Sequence, residues 1–242
     1  MPEIRTRFII LCDTRSGTTA LTSTLKTHPD VHCYGHPFFE NAKGHSRMNE
    51  FLHGAVDIEK RKIKPVEYAY DILNTTRGAT TTGFKIWTSD YVGTNEALAA
   101  LTADPTIKKI ILNRENKLAC ISSAALVALK KENPEAFEDP ENRPQAVFEK
   151  DKFLRQTRNR IKRIESYPAM CTGEVLKLPY EGLMTTGLQA ITQFLDLEEF
   201  DFVIGTKKRN TGDIIGRYKP EFHDEIRATL DEIGHPEWVS EA

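Results

Sequence analysis

The stretch FIILCDTRSGTT, residues 8–19, is the part of the chain that decides the fold. Residues 8–12 form an unbroken apolar run typical of a buried strand, and the small polar residues after it indicate a loop that opens a helix near Thr18. Gly17 lets the loop backbone approach a ligand closely, and the first N–H groups of the helix favour an anion. With Arg15 adding a full positive charge, this stretch predicts an anion-binding loop.

The loop differs from the ATP-binding P-loop in two positions. If Gly17 is aligned with the second glycine of that motif, Cys12 stands at the first glycine and Thr18 at the lysine. An anion other than Mg-ATP is therefore favoured. A P-loop nucleotide kinase or phosphotransferase on the same architecture stays as an alternative.

Composition indicates one domain over residues 1–242, because 242 residues with 39% hydrophobic content suffice for one well-cored domain. A net charge of -2 predicts no general attraction to nucleic acid. The apolar run near the N-terminus is shorter than the roughly 7–15 residues of a signal-peptide core or the roughly 20 of a membrane span, so we expect a cytoplasmic protein without a membrane span. The four cysteines are far apart in sequence, which predicts reduced thiols and no metal site.

Strand and helix patterns alternate along the chain. This alternation predicts an α/β fold, a P-loop-like three-layer sandwich with a central, mainly parallel sheet flanked by helices. The predicted strands are 8–12, 31–34, 83–87, 108–113 and 174–179, and the predicted helices begin near Thr18 and cover 65–74, 94–102, 116–131, 147–166 and 182–195.

Three chemically useful side chains follow predicted strands. They are Arg15, Arg114 and Tyr180. Because ligands of parallel sheets bind beyond the carboxyl ends of the strands, we expect these residues to converge on one crevice.

At this point the chain resembles sulfotransferases that use 3′-phosphoadenosine-5′-phosphosulfate (PAPS), and more closely their bacterial small-molecule and carbohydrate branch. The family motif [KR]-x-G-[ST]-[ST] matches residues 15–19. The resemblance implies that the 5′-phosphosulfate is held by Arg15, Ser16, Gly17, Thr18 and Thr19.

Further elements of the family match along the chain. An arginine followed eight residues later by a serine binds the 3′-phosphate in the family, and Arg114 and Ser122 have this spacing, with Ser123 as the neighbouring candidate. The resemblance also implies that Tyr180 lies at the adenine and that a late basic loop with Lys208 and Arg209 closes over the 3′-phosphate.

The resemblance also suggests catalytic residues. Bacterial members commonly carry glutamate after the glycine at position 35, where this chain has His36. Imidazole is suited to proton transfer near neutral pH, so we predict His36 as the general base, with Glu40 as a weaker candidate. Lys85 is predicted to stabilise the sulfuryl group, and Arg15 is predicted to stabilise the charge that builds on the leaving oxygen. Mobile acceptor-side segments are expected at 40–82 and 132–147.

Taken as a whole, the resemblance implies a sulfotransferase that moves the sulfuryl group from PAPS in line to a hydroxyl or amine of a small-molecule or carbohydrate acceptor. It would release 3′,5′-ADP and need no metal. A second alternative is a non-catalytic polyanion-binding protein that uses the basic helix over residues 150–163. The acceptor and the oligomeric state stay open at this stage.

Overall fold

The computed structural model describes residues 3–38, 56–57, 59–76, 78–89, 91–138, 143–204 and 212–241. These residues cluster into two compact units. We call them the sheet unit, with the described residues of 3–13, 17–113 and 163–204, and the helical unit, with those of 14–16, 114–162 and 212–241. The single domain over residues 1–242 stays a prediction.

The sheet unit contains a five-stranded parallel sheet, as the apolar runs predicted. Strand β1 lies at its centre, and the order is β2-β3-β1-β4-β5 with every described pair parallel. The predicted α/β fold class is confirmed. The strands are β1 Thr6–Leu11, β2 Val31–Tyr34, β3 Thr81–Ile86, β4 Ile107–Asn113 and β5 Val175–Pro179.

The two faces of the sheet carry separate hydrophobic cores, because successive side chains of a strand point to opposite faces. Ile9 and Leu11 pack on one face, and Phe8 and Ile10 pack on the other. Helices therefore cover both faces, as expected for a three-layer sandwich. The α-helices of the described residues are α1 Thr18–Leu25, α2 Lys60–Ile63, α3 Pro65–Leu73, α4 Thr94–Ala103, α5 Lys117–Glu132, α6 Lys150–Met170, α7 Leu188–Phe194 and α8 His223–Glu232.

The helical unit has its own core. Leu118 of α5, Phe153 of α6 and Ile226 of α8 are buried in one cluster with Tyr218 and Trp238. The segment before α6 joins this unit through a parallel bridge between Ala146 and Tyr218. The unit thus buries apolar side chains drawn from widely separated parts of the sequence.

Two elements differ from the predicted pattern. The helix expected over 182–195 begins as a π-helical turn, Leu183–Gly187, in which the Gly187 amide donates to the Gly182 carbonyl at 3.0 Å. In a π turn each backbone hydrogen bond spans five residues instead of four, and a hydrophobic pattern with a period of 3.6 residues does not reveal such a local change. Helix α8 was not predicted, because charged side chains dominate its exposed face.

Two further findings concern the described part of the chain. Cys12, Cys33 and Cys120 are buried, Cys171 is partly buried, and all four are free thiols. Among the described residues, no helix combines the length and the apolar character needed to cross a membrane. The mobility expected of 40–82 and 132–147 stays a prediction, and residues 39–55 and 139–142 lie outside the described residues.

Gly83 in β3 offers a test of how tightly the sheet unit is packed. A Cβ at this position would lie 2.5 Å from the Phe8 carbonyl oxygen and 2.6 Å from the Phe8 ring. Because neither backbone nor buried ring can retreat cheaply, we expect Gly83→Ala to lower the free energy of unfolding by about 1–3 kcal/mol. Urea denaturation followed by circular dichroism measures this change.

Gly35→Ala is the matched control for this substitution. A Cβ at Gly35 would meet no atom of the described residues within 4 Å. We expect a change within about 0.5 kcal/mol. Equal effects of the two substitutions would contradict the packing described for Phe8 and Gly83.

Candidate active site

In the sheet unit, the turn that starts α1 is built around Gly17. This residue has a φ of +84° and caps the helix, which begins at Thr18. A Cβ on Gly17 would lie 2.2 Å from Cε2 of the Tyr180 ring. Both the backbone angle and the ring therefore exclude a side chain at position 17. The predicted adenine-side residue Tyr180 lies directly against the predicted phosphate-binding turn.

Lys85 brings a positive charge to the same turn. It lies in β3 opposite Ile10 of β1, and its Nζ donates to Thr19 Oγ1 at 3.0 Å. The ammonium group thus reaches the first turn of α1, where the helix dipole is also positive. An anion at this end of the helix would meet both charges. This location agrees with the predicted role of Lys85, which stays a prediction.

His36 is a buried ring in the loop after β2. It packs edge-on against Trp87 at a centroid distance of 3.9 Å, and its Nδ1 accepts from the Phe38 amide at 3.2 Å. Its Nε2 is buried without a hydrogen-bond partner among the described residues. Burial and the nearby Lys85 charge lower the pKa of His36 to about 3. The imidazole is therefore neutral at pH 7 and a weak base, and because Nδ1 accepts from the Phe38 amide, the ring proton lies on Nε2. Its catalytic role stays a prediction.

In the helical unit, the two arginines singled out by the sequence are in contact. Arg15 Nε and Nη2 donate to Ser123 Oγ at 3.1 and 3.0 Å. The Arg15 carbonyl oxygen accepts from Arg114 Nη1 at 3.2 Å. Arg15 has a φ of +64°, a left-handed conformation that residues other than glycine rarely adopt. Strain of this kind is often concentrated at functional loops.

The two candidate serines, Ser122 and Ser123, contact different arginines. Ser123 accepts from Arg15, whereas Ser122 Oγ accepts from Arg217 Nη1 at 3.2 Å. Both serines are buried in α5, with Ser122 0% exposed and Ser123 5% exposed. The family resemblance assigns Arg114 and Ser122 to one phosphate, and this role stays a prediction. The structure places Arg217 beside Ser122. Sequence patterns did not single out Arg217, although it follows the late basic stretch that contains Lys208.

Arg114 and Arg217 lie close enough to influence each other. Burial, and next the charge of Arg114, lower the pKa of Arg217. The Arg114 guanidinium donates from Nε to Glu241 Oε1 at 2.7 Å, and its Nη2 pairs with Oε2 of the same carboxylate. Two neighbouring guanidinium groups repel each other unless an anion lies near them, and here Glu241 supplies one.

Two arginines of the basic helix α6 contact the predicted phosphate-binding loop. In the helical unit, Arg160 Nη1 donates to the Thr14 carbonyl at 2.8 Å, and Arg160 Nη2 donates to Thr14 Oγ1 at 3.3 Å. In the sheet unit, Arg163 Nη1 pairs with Asp13 Oδ1 at 2.7 Å. The sequence pattern indicated a basic surface for this helix and did not single out these two residues. Their spacing of three, which places them on one helix face, was the available signal.

Several predicted residues lie outside the described part of the chain, namely Glu40, Lys208 and Arg209. Among the described residues, no group of three or more His, Cys, Asp or Glu side chains is arranged to hold a metal ion. A groove of about 610 Å³ in the sheet unit contains none of the predicted residues. It is lined by Thr185, Leu188, Gln189, Thr192, Gln193 and residues 199–202.

The lowered pKa of His36 predicts how the stability of the protein depends on pH. The unfolded chain takes up a proton at His36 near pH 6.5, but the folded chain does so only near pH 3. The stability that this neutral ring supports is thus present above pH 6.5 and is lost as the pH falls toward 3, by about 2 kcal/mol at pH 5. We expect His36→Asn, which keeps a hydrogen-bond acceptor, to show a smaller loss between pH 7.5 and 5 in urea denaturation. An unchanged pH dependence would contradict the assignment of the loss to His36.

Several solved structures align with the chain, and the following three are sulfotransferases by name. The sulfotransferase from Alicyclobacillus acidocaldarius is 16% identical, with a TM-score of 0.48 over 97% of this chain and 98% of that one. Mouse sulfotransferase SULT7A1, complexed with PAP, is 12% identical, with a TM-score of 0.48 over 95% and 84%. The sulfotransferase domain of the Synechococcus PCC 7002 olefin synthase is 16% identical, with a TM-score of 0.41 over 99% and 87%. No protein-family model matches the sequence, and no curated protein matches it.

Proposed function

We propose that this protein is a PAPS-dependent sulfotransferase that releases 3′,5′-ADP. The observation that carries the proposal is the contact of Arg114 Nη1 with the Arg15 carbonyl oxygen at 3.2 Å. The sequence motif assigns these arginines to the two charged ends of one nucleotide. In the helical unit they lie beside Ser123 and close to Arg217 and Ser122.

The residues present fit such a donor. The guanidinium group of arginine can donate two parallel hydrogen bonds to phosphate oxygens. The helical unit provides three such groups, those of Arg15, Arg114 and Arg217. In the sheet unit, position 17 has no room for a side chain. A glycine at such a position lets the backbone N–H groups approach a phosphate closely. PAPS, when bound, supplies a sulfuryl group whose bond to a 5′-phosphate oxygen breaks as a bond to the acceptor forms.

The residues of the phosphate-binding loop would neutralise the charge that builds on the leaving 5′-phosphate. The Arg15 guanidinium and the backbone N–H groups of residues 16–19 are the proposed donors, with the side chains of Ser16, Thr18 and Thr19 beside them. Because these donors are ordered before the reaction, they stabilise the developing charge without reorganisation. Lys85 lies in β3, and its ammonium group reaches the first turn of α1. From there it is proposed to stabilise the charge on the sulfuryl oxygens.

The remaining roles concern the proton, the 3′-phosphate and the base of the nucleotide. His36 is proposed to act as the general base for the acceptor. Arg114 and Ser122, with Lys208 and Arg209, are proposed to bind the 3′-phosphate, and Tyr180 the adenine. The acceptor is proposed to be a hydroxyl or an amine of a small molecule or a carbohydrate.

Substitution of Arg15 tests the proposal directly. We expect Arg15→Ala to lower turnover about 10²–10³-fold, because a charged donor to the leaving group is lost. Acceptor-dependent release of 3′,5′-ADP from PAPS, assayed with a panel of phenols, alcohols, amines and sugars, measures this loss. Arg155→Ala is the matched control, since Arg155 lies exposed on α6. Turnover of Arg15→Ala within a few-fold of the parent would refute the role of Arg15.

A ligand comparison separates the proposal from its two alternatives. We expect 3′,5′-ADP at about 100 times its dissociation constant to stabilise the fold by about 2.7 kcal/mol, seen as a rise of several degrees in Tm, while Mg-ATP at equal concentration gives less. A larger shift with Mg-ATP would favour a nucleotide kinase. A shift with heparin that disappears steeply with salt and with Arg155→Ala, in the absence of a nucleotide shift, would favour a polyanion-binding protein.

A further inference from the structure

The Glu241 carboxylate forms an ion pair with the Arg114 guanidinium, although the two residues are 127 positions apart in the sequence. The two side chains form a bidentate pair through Nε with Oε1 and Nη2 with Oε2. They are 8% and 6% exposed, so water screens the pair very little. This is the geometry with which an arginine binds a planar anion or a phosphate.

The backbone around Glu241 is held by several contacts within the helical unit. The Glu241 amide donates to the Gly212 carbonyl at 2.8 Å, and Ser240 forms an antiparallel bridge with Asp213. Asn116 Nδ2 donates to the carbonyl oxygens of Trp238 and Ser240 at 3.0 and 3.2 Å. The carboxylate is therefore held at Arg114 by an ordered segment, residues 236–241, which we call the carboxylate strap.

The Arg114 guanidinium has two edges on which two parallel hydrogen bonds fit, one formed by Nε and Nη2 and the other by Nη1 and Nη2. Glu241 uses the Nε–Nη2 edge, and Nη1 donates to the Arg15 carbonyl. A phosphate that binds the Nε–Nη2 edge has to displace the carboxylate. A phosphate on the other edge would share Nη2 with that carboxylate, and like charges in contact are strongly unfavourable.

We infer that Glu241 is an internal competitor for the 3′-phosphate, so that the carboxylate strap regulates nucleotide binding. The inference rests on the proposed function, since it takes Arg114 as a ligand of the 3′-phosphate. Without nucleotide, Glu241 neutralises a buried guanidinium and stabilises the fold. With nucleotide, the phosphate replaces the carboxylate on Arg114, and the measured affinity equals the intrinsic affinity multiplied by the fraction of molecules in which Glu241 has left Arg114.

Isothermal titration of Glu241→Gln with two nucleotides tests the competition. We expect this variant to bind 3′,5′-ADP about tenfold more tightly than the parent, because the neutral amide leaves Arg114 more readily. Binding of 5′-AMP, which has no 3′-phosphate, should be unchanged. Glu237→Gln is the matched control, because Glu237 lies in the same strap but pairs with the exposed His235. It should alter neither affinity.

Measurements on the parent protein keep the test independent of the folding of any variant. On addition of 3′,5′-ADP, we expect hydrogen–deuterium exchange in residues 238–241 to become faster, since the strap loses its ion pair. Addition of 5′-AMP should not change this exchange. Exchange that is unchanged or slower with 3′,5′-ADP would overturn the inference.

The outcomes separate a failure of the inference from a failure of the proposed function. If the parent binds 3′,5′-ADP but Glu241→Gln binds it equally or more weakly, Glu241 does not compete and the inference is wrong. Weaker binding would mean that Glu241 orients Arg114 for the phosphate. If the folded parent does not bind 3′,5′-ADP at all, the proposed function itself fails, and the inference fails with it.

Discussion

Burial of positive charge is the constraint on which the helical unit depends. Arg114, Lys117 and Arg217 are only 7%, 5% and 6% exposed. Removing a cation from water costs several kcal/mol unless oxygen atoms replace the lost hydration. The fold supplies Glu241 to Arg114, Ser122 to Arg217, and the Arg114 carbonyl to Lys117. A core made for stability alone would avoid such a set, whereas an anion site needs it.

The sheet unit meets a different requirement, which is to hold a strained turn at the end of a rigid strand. Strand β1 is central and buried on both faces, so its carboxyl end has little freedom. The Tyr180 ring covers Gly17, and Arg163 pairs with Asp13. Within the helical unit, Arg160 holds the Thr14 carbonyl in a comparable way. Guanidinium groups thus act on this loop as structural ties as well as candidate ligands.

Local patterns were sufficient for most of the fold. All five strands were predicted, because apolar runs bounded by polar or turn residues are a local property of a buried parallel strand. The π turn at Leu183–Gly187 was not, since it shifts a helix by one residue without changing its composition. The hydrogen bond between Ser122 and Arg217 could not be predicted from the sequence either. Adjacent helix positions point about 100° apart, so only the packing of α5 decides which arginine each serine meets.

The sequence by itself determined that the first strand of a parallel sheet would end in a glycine-containing loop that opens a helix, and that Arg15 and Arg114 would follow strands of that sheet. These features depend on hydrophobic periodicity, glycine placement and strand order, which act over short distances along the chain. Only the tertiary structure decided that Glu241 pairs with Arg114, that Arg217 joins the buried cations, and that His36 is held neutral. Each of these depends on burial and on contacts between residues far apart in sequence, because the strength of a charge interaction is set by the surroundings into which folding places it.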